Sequence, residues 1–188
     1  MSTHHVKGGV AAFTGHMVDA PGREKPRFPL NKVESVRREI AIALQAHDVR
    51  HGFSSAARGS DILFLEELLK RGGTAHIFLP FSARAFAQTS VGYGWDDRYW
   101  QLLRNPRAKY EEMADALPPE SHQSAAYDKC NVRLQQEAVR LATSEGTKPI
   151  LLAVWNGNPG DGSGGTADAV RSWMQQGYRI MTIDLSKL

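Results

Sequence analysis

Pro149-Ile150-Leu151-Leu152-Ala153-Val154-Trp155, followed by Asn156-Gly157-Asn158-Pro159-Gly160-Asp161-Gly162-Ser163-Gly164-Gly165-Thr166-Ala167-Asp168-Ala169-Val170, decides the fold. The first half is the most apolar run in the chain and shows no polar alternation, which is how a strand buried on both faces reads. Five glycines between Asn156 and Gly165 then make a turn. From Thr166 to Gln176, Ala167, Val170, Trp173 and Met174 recur at helical spacing and are expected to face inward. Arg179 to Leu185 reads as a closing strand. A buried strand, a glycine turn, an amphipathic helix and a second strand make one βαβ unit of a parallel sheet.

The N-terminal half repeats this grammar. Val10 to Thr14 is an apolar first strand, with a turn at Thr14-Gly15-His16. Asp19 to Pro29 holds three prolines and a glycine and reads as a long loop. Asn31 is placed to cap a helix running to about His47, with Val33, Val36, Ile40 and Leu44 on its sheet-facing side. Gly52 to Ala56 reads as a second strand and Arg58-Gly59 as a turn. Ser60 or Asp61 is expected to cap the next helix, which carries Ile62, Leu65, Leu68 and Leu69 on one face and stops at Gly72-Gly73. Thr74 to Leu79 is a third strand.

The middle gives weaker signals: short helical patterns over Ala83 to Gln88 and Trp95 to Arg104, a loop at Val91 to Gly94, and a long helix from Ser124 to Ser144. The whole reads as a three-layer Rossmann-like α/β domain from residue 10 to 188, a mostly parallel sheet with helices on both faces, preceded by a flexible N-terminus over residues 1–9.

In such sheets ligands bind outside the C-terminal strand edge. Three turns are expected to converge there: Thr14-Gly15-His16, Ser54 through Asp61, and Asn156 through Asp168. Gly164, Gly165 and Thr166 stand where a helix begins, and a helix start offers unpaired amides and partial positive charge to a phosphate. Gly157 shapes the same turn. No Gly-Lys-Ser/Thr follows and the first strand lacks G-x-G-x-x-G, so neither the Walker loop nor the dinucleotide fingerprint is present. Ser54, Ser55, Gly59, Ser60 and Asp61 form a second polar turn suited to ribose or phosphate contact, with helix capping as the plainer role for Ser60. His16 is a candidate phosphate ligand or acid–base group. Trp155 is a candidate base-stacking surface, and Asn131, one helical turn after Tyr127, is placed to reach the strand edge. Arg23, Arg27 and Arg58 lie in or beside the loops as candidate anion partners.

Hydrophobic residues are 41% and charged residues 23% of the 188, ordinary for a globular protein, and the net charge is +3. The basic residues are dispersed, so a nucleic-acid groove is not indicated and a nucleic-acid partner is not expected, although the charge balance by itself fits a small anionic ligand and a polynucleotide equally well. The lone Cys130 forms no internal disulfide, and nothing in the sequence points to a metal or a resident cofactor. No apolar run is long enough for a bilayer, and Met1 to Gly9 lacks the apolar core of a secretory signal, so a cytoplasmic protein is expected.

A-F-T-G-H at Ala12–His16 resembles the SLOG superfamily of Rossmann-like nucleotide-binding domains. So does S-S-A-A-R-G-S-D-I-L-F-L-E-E at Ser54–Glu67, with H-I-F-L-P-F following at His76–Phe81. The third piece is A-V-W-N-G at Ala153–Gly157 with G-G-T-A-D-A-V at Gly164–Val170. That superfamily includes LOG-type nucleoside monophosphate phosphoribohydrolases and the DNA-processing protein A core. The resemblance implies nucleotide binding and self-association. LOG-type hydrolases carry P-G-G-x-G-T-x-x-E, and here Ala169 stands at the glutamate position. Asp168, one residue and about 100° of helix rotation away, is then the candidate catalytic acid, with Glu66 and Glu67 ranked below it and Arg133 on the corresponding long helix. The resemblance supports a nucleotide sensor or carrier first, an N-glycosidic hydrolase second and a DNA-binding accessory third.

Overall fold

A computed structural model describes residues 8–158 and 165–188. Among them six strands form one sheet, every pairing parallel: β1 (Gly9–Gly15), β2 (Val49–Ser54), β3 (Thr74–Leu79), β4 (Ala108–Glu112), β5 (Ile150–Trp155) and β6 (Arg179–Asp184), in the order β4-β3-β2-β1-β5-β6. The helices are α1 (Val33–Ala46), α2 (Ser60–Lys70), α3 (Ala83–Ser90), α4 (Asp96–Leu103), α5 (Glu120–Ser144) and α6 (Thr166–Gln175), with short 3-10 turns at Leu30–Lys32 and Leu185–Lys187.

Alternation along the central strands makes the layers. Ala11 and Phe13 of β1 and Leu152 and Val154 of β5 enter one core with α1 to α4. Val10, Ala12, Leu151 and Ala153 point the other way and meet Cys130, Leu134 and Ala138 of α5 and Val170 and Trp173 of α6. Successive strand residues face opposite sides, so a strand apolar throughout is the one that both layers cover. The architecture is the expected three-layer α/β sheet.

Several local expectations are corrected. Asn31 lies inside the 3-10 turn and α1 starts at Val33 with no side-chain cap. β2 begins at Val49, three residues before the apolar Gly52-Phe53 pair, because Arg50 and His51 are tolerated where the strand enters the sheet. α2 is capped by Gly59 and by neither Ser60 nor Asp61. It is buried all round at Ile62, Leu63, Phe64 and Leu65, since the sheet lies on one side and α1 and α4 on others. In α6 Ala169 is buried, while Met174 is 65% exposed. β4 was not legible: A-K-Y-E-E is an edge strand with four exposed residues and lacks the apolar signal of a covered one. In the Phe81–Gln123 region α3 and α4 share the core of α1 and α2, and β4 pairs with β3 at the sheet edge. No described helix is long and apolar enough to cross a membrane.

Candidate functional site

The chain runs β1 to β4 in one direction across the sheet, then returns past β1 to add β5 and β6 on the other side. The reversal leaves a crevice outside the C-terminal ends of β1 and β5, where open α/β sheets hold ligands. A cavity of about 400 Å³ lies there. It is lined by Phe13, Thr14, Gly15, His16 and Met17 from β1 and its loop, Arg27 from the end of that loop, and Ser55, Ala57 and Asp61 after β2. Phe86, Thr89 and Ser90 of α3, Tyr127 and Asn131 of α5, and Gly165 and Thr166 at the start of α6 complete it.

The β1 and β2 loops are fastened to each other. Gly15 must be glycine: a Cβ there would stand 3.0 Å from both Ser60 Cβ and Val154 Cβ and nearer still to Ser60 Oγ. Ser60 Oγ donates to the His16 carbonyl (2.8 Å), and the His16 amide donates to the Val154 carbonyl (2.9 Å). Met17 and Gly59 form an antiparallel bridge. Gly59 sits at φ +94°, a conformation that side chains other than glycine adopt at a cost. Arg58 is spent on bracing: Nε donates to the Val18 carbonyl (3.1 Å), Nη1 to the Val91 carbonyl (3.2 Å), and the guanidinium lies over the Tyr93 ring. The Asp19 carboxylate closes the long loop by accepting the Arg27 and Phe28 amides.

His16 reaches across the reversal. Its Nε2 donates to Asn156 Oδ1 (3.1 Å), just beyond β5, and the same oxygen accepts the Asn158 amide. Burial holds its pKa below the usual histidine value, partly offset by the Asn156 bond, with Arg27 and Arg23 pushing the same way as burial. The imidazole is therefore neutral near pH 7 and serves as a hydrogen-bonding group.

Among the described residues lining the cavity, Asp61 is the one acid. It is 8% exposed, and its Oδ2 accepts the Ala57 amide (3.3 Å). Burial pushes its pKa up to about 7, against the opposing pull of the Ala57 amide, the Ser54 hydroxyl and the Ser55 amide. Ser54 Oγ is fully buried and, although close enough to act on Asp61, makes no hydrogen bond of standard geometry.

Thr14, Gly15, His16, Ser55, Asp61, Asn131, Gly165 and Thr166 thus meet at one cavity. Gly164 lies outside the described residues. Ser54 is beneath the wall, and Gly59 and Ser60 pack within the protein. Gly157 takes φ +80° in an open turn, and Trp155 packs half-buried on the α5–α6 core, so neither lines the cavity. Asp168 is also elsewhere. It lines the neighbouring groove between α5 and α6, which shares Asn131 with the cavity, and it pairs with Arg171 (3.0 Å). Glu66 and Glu67 are held by Arg37 and Arg98, and Arg133 pairs with Glu137 and Glu111. Thr89, Ser90 and Phe86 come from the middle region, where no turn signal marked them. Tyr127 Oη lies 2.7 Å from Ser90 Oγ, and that contact binds α5 to α3 across the cavity.

No family model matches the chain, and no curated protein does. Among solved structures it is similar to DNA processing protein A from Streptococcus pneumoniae, with 13% identity over 93% of this chain and a TM-score of 0.43. The chain spans 59% of the length of that protein. It is also similar to DNA processing protein A from Helicobacter pylori, described in a single-stranded DNA binding mode, at 15% identity over 92% of this chain and 74% of that one, with a TM-score of 0.39. A third is the Moco carrier protein from Chlamydomonas reinhardtii, at 11% identity over 95% of this chain and 91% of that one, with a TM-score of 0.39. The expectation against nucleic acid gains no support from these similarities.

Proposed function

We propose that the protein binds a nucleotide or a nucleotide-derived phosphate in the cavity at the strand C-termini, as a sensor or carrier. One observation carries this reading: at the reversal of strand order, the first residues of α6 share a cavity with the His16 loop and with polar side chains from α3 and α5. Ten-residue α6 presents its first-turn amides and partial positive charge there, with the Thr166 hydroxyl beside them. Arg27 adds a cation to the wall. A volume near 400 Å³ suits a ligand of mononucleotide size.

Binding is favoured over N-glycosidic hydrolysis because Asp168 stands outside the cavity with Arg171. Self-association belongs to the same reading and is checked by light scattering. The test is calorimetric titration and thermal shift with nucleoside monophosphates, NAD, ADP-ribose and a single-stranded oligonucleotide, with chromatography for released base. Saturable binding of a small phosphate compound without base release is expected. Base release would move the reading to hydrolase, tight oligonucleotide binding alone would move it to a DNA accessory, and no binding by any phosphate compound would end it.

A further inference from the structure

An acid in a cavity otherwise suited to an anion needs a reason. A buried carboxylate repels a phosphate placed against it, and the cost grows as water is excluded. The sheet order separates the two. Asp61 follows β2, whereas Gly165 and Thr166 follow β5, and β1 lies between those strands. Adjacent strands are about 4.8 Å apart, so the β2 and β5 tips are separated by roughly 10 Å. A ligand that reaches both flanks carries its negative charge at one end and hydrogen-bond donors at the other.

The Asp61 flank is built to receive donors. Asp61 is part of the cavity wall, and Ser55 lines it too. One oxygen is fixed by the Ala57 amide. The Ser54 hydroxyl, fully buried and without a hydrogen bond of its own, lies behind it as a ready donor to the ionised form. A carboxylate offers two oxygens with about four acceptor directions, so it takes both hydroxyls of a vicinal diol, which a single serine does less well.

We propose that Asp61 reads the hydroxyls of a pentose whose phosphate rests at the start of α6, which makes the ligand class a ribose phosphate rather than a deoxyribose phosphate. This rests on the phosphate-binding reading above and adds the sugar to it. The selectivity follows from burial: a ligand lacking one hydroxyl leaves a desolvated carboxylate oxygen without its partner.

The experiment is calorimetric titration of the full chain with ribose 5-phosphate, 2-deoxyribose 5-phosphate and inorganic phosphate. Ribose 5-phosphate is expected to bind about 10-fold or more tighter than the deoxy sugar. In Asp61→Asn that ratio is expected to fall to about 3-fold or less, while inorganic phosphate, which has no diol, binds at least as tightly as to wild type. The wild-type ratio needs no variant, so a poorly folded Asp61→Asn does not block the test. Phosphate binding with equal affinity for the two sugars would overturn the Asp61 assignment and leave the anion site standing, as would an undiminished ratio in a folded Asp61→Asn. No binding by any of the three compounds would overturn both.

Discussion

Two helices, α2 and α6, begin directly after a glycine, and the two starts are used in opposite ways. At α2, Gly59 takes φ +94°, Ser60 is buried under Gly15 and bonded to His16, and the loop beyond β1 bridges to Gly59 itself. Protein fills the space before that helix. At α6, Gly165 takes φ −82°, an ordinary extended conformation, and Gly165 and Thr166 face the cavity. A glycine before a helix therefore serves two physical purposes: conformational freedom and close packing at Gly59, and a place in the cavity wall at Gly165. The first start gives the cavity the Asp61 side chain, and the second gives it Gly165 and Thr166.

The contrast breaks most easily at the glycines. Gly59→Ala forces a Cβ onto a left-handed backbone and against Val18, so urea denaturation is expected to show a loss of about 3 kcal/mol. Gly165→Ala is expected to cost less than about 1 kcal/mol, and equal losses would erase the distinction.

Asp61 sharpens it through pH. Its pKa is raised in the folded protein from 3.8 to about 7. Between those values the folded chain holds a proton that the unfolded chain has released, so this group's contribution falls as pH rises through that window. The other ionisable side chains described nearby are His16 and Arg27 from the β1 loop and Tyr127 and Cys130 from α5, and burial keeps the Cys130 thiol protonated, with its pKa pushed up to about 12. Asp61→Asn is therefore expected to be more stable than wild type at pH 8 by about 2 kcal/mol, with the gain disappearing toward pH 4. Paired denaturation curves at the two pH values check it, and a gain independent of pH would show that ionisation is not the cause.

Thr166→Pro probes the open start directly. Proline is accommodated at the first helical position, and Gly165 is already extended, so folding is expected to change by less than about 1 kcal/mol. One amide and one hydroxyl are lost, and affinity for inorganic phosphate is expected to fall about 10-fold, with Thr166→Ala showing the hydroxyl's share. At the α2 start, Ser60→Ala removes the bond to the His16 carbonyl and is expected to cost about 1 kcal/mol in a thermal melt.

The fold was legible where burial is two-sided. Ile150 to Trp155 reads as a central strand from composition alone, and the helix faces Val33-Val36-Ile40-Leu44 lie buried as the spacing requires. Legibility failed where long-range contacts decide. Ser60 has the chemistry of a cap, yet its hydroxyl is taken by a carbonyl 44 residues away. The exposed strand β4 carries almost no hydrophobic pattern. At the site, the turns after β1, β2 and β5 could be gathered by a rule of topology. Ser90 and Thr89 could not, because their place depends on how α3 packs beneath Tyr127.

The edge strand β4 has a consequence for the molecule in a crowded solution. It closes one side of the sheet with Lys109, Glu111 and Glu112 exposed along it. A charged rim makes an incoming foreign strand surrender hydration before it gains any backbone pairing. The β4 edge is thereby protected from growing sideways into fibrils, and the residues that hid β4 from hydrophobic pattern reading are the ones that guard it.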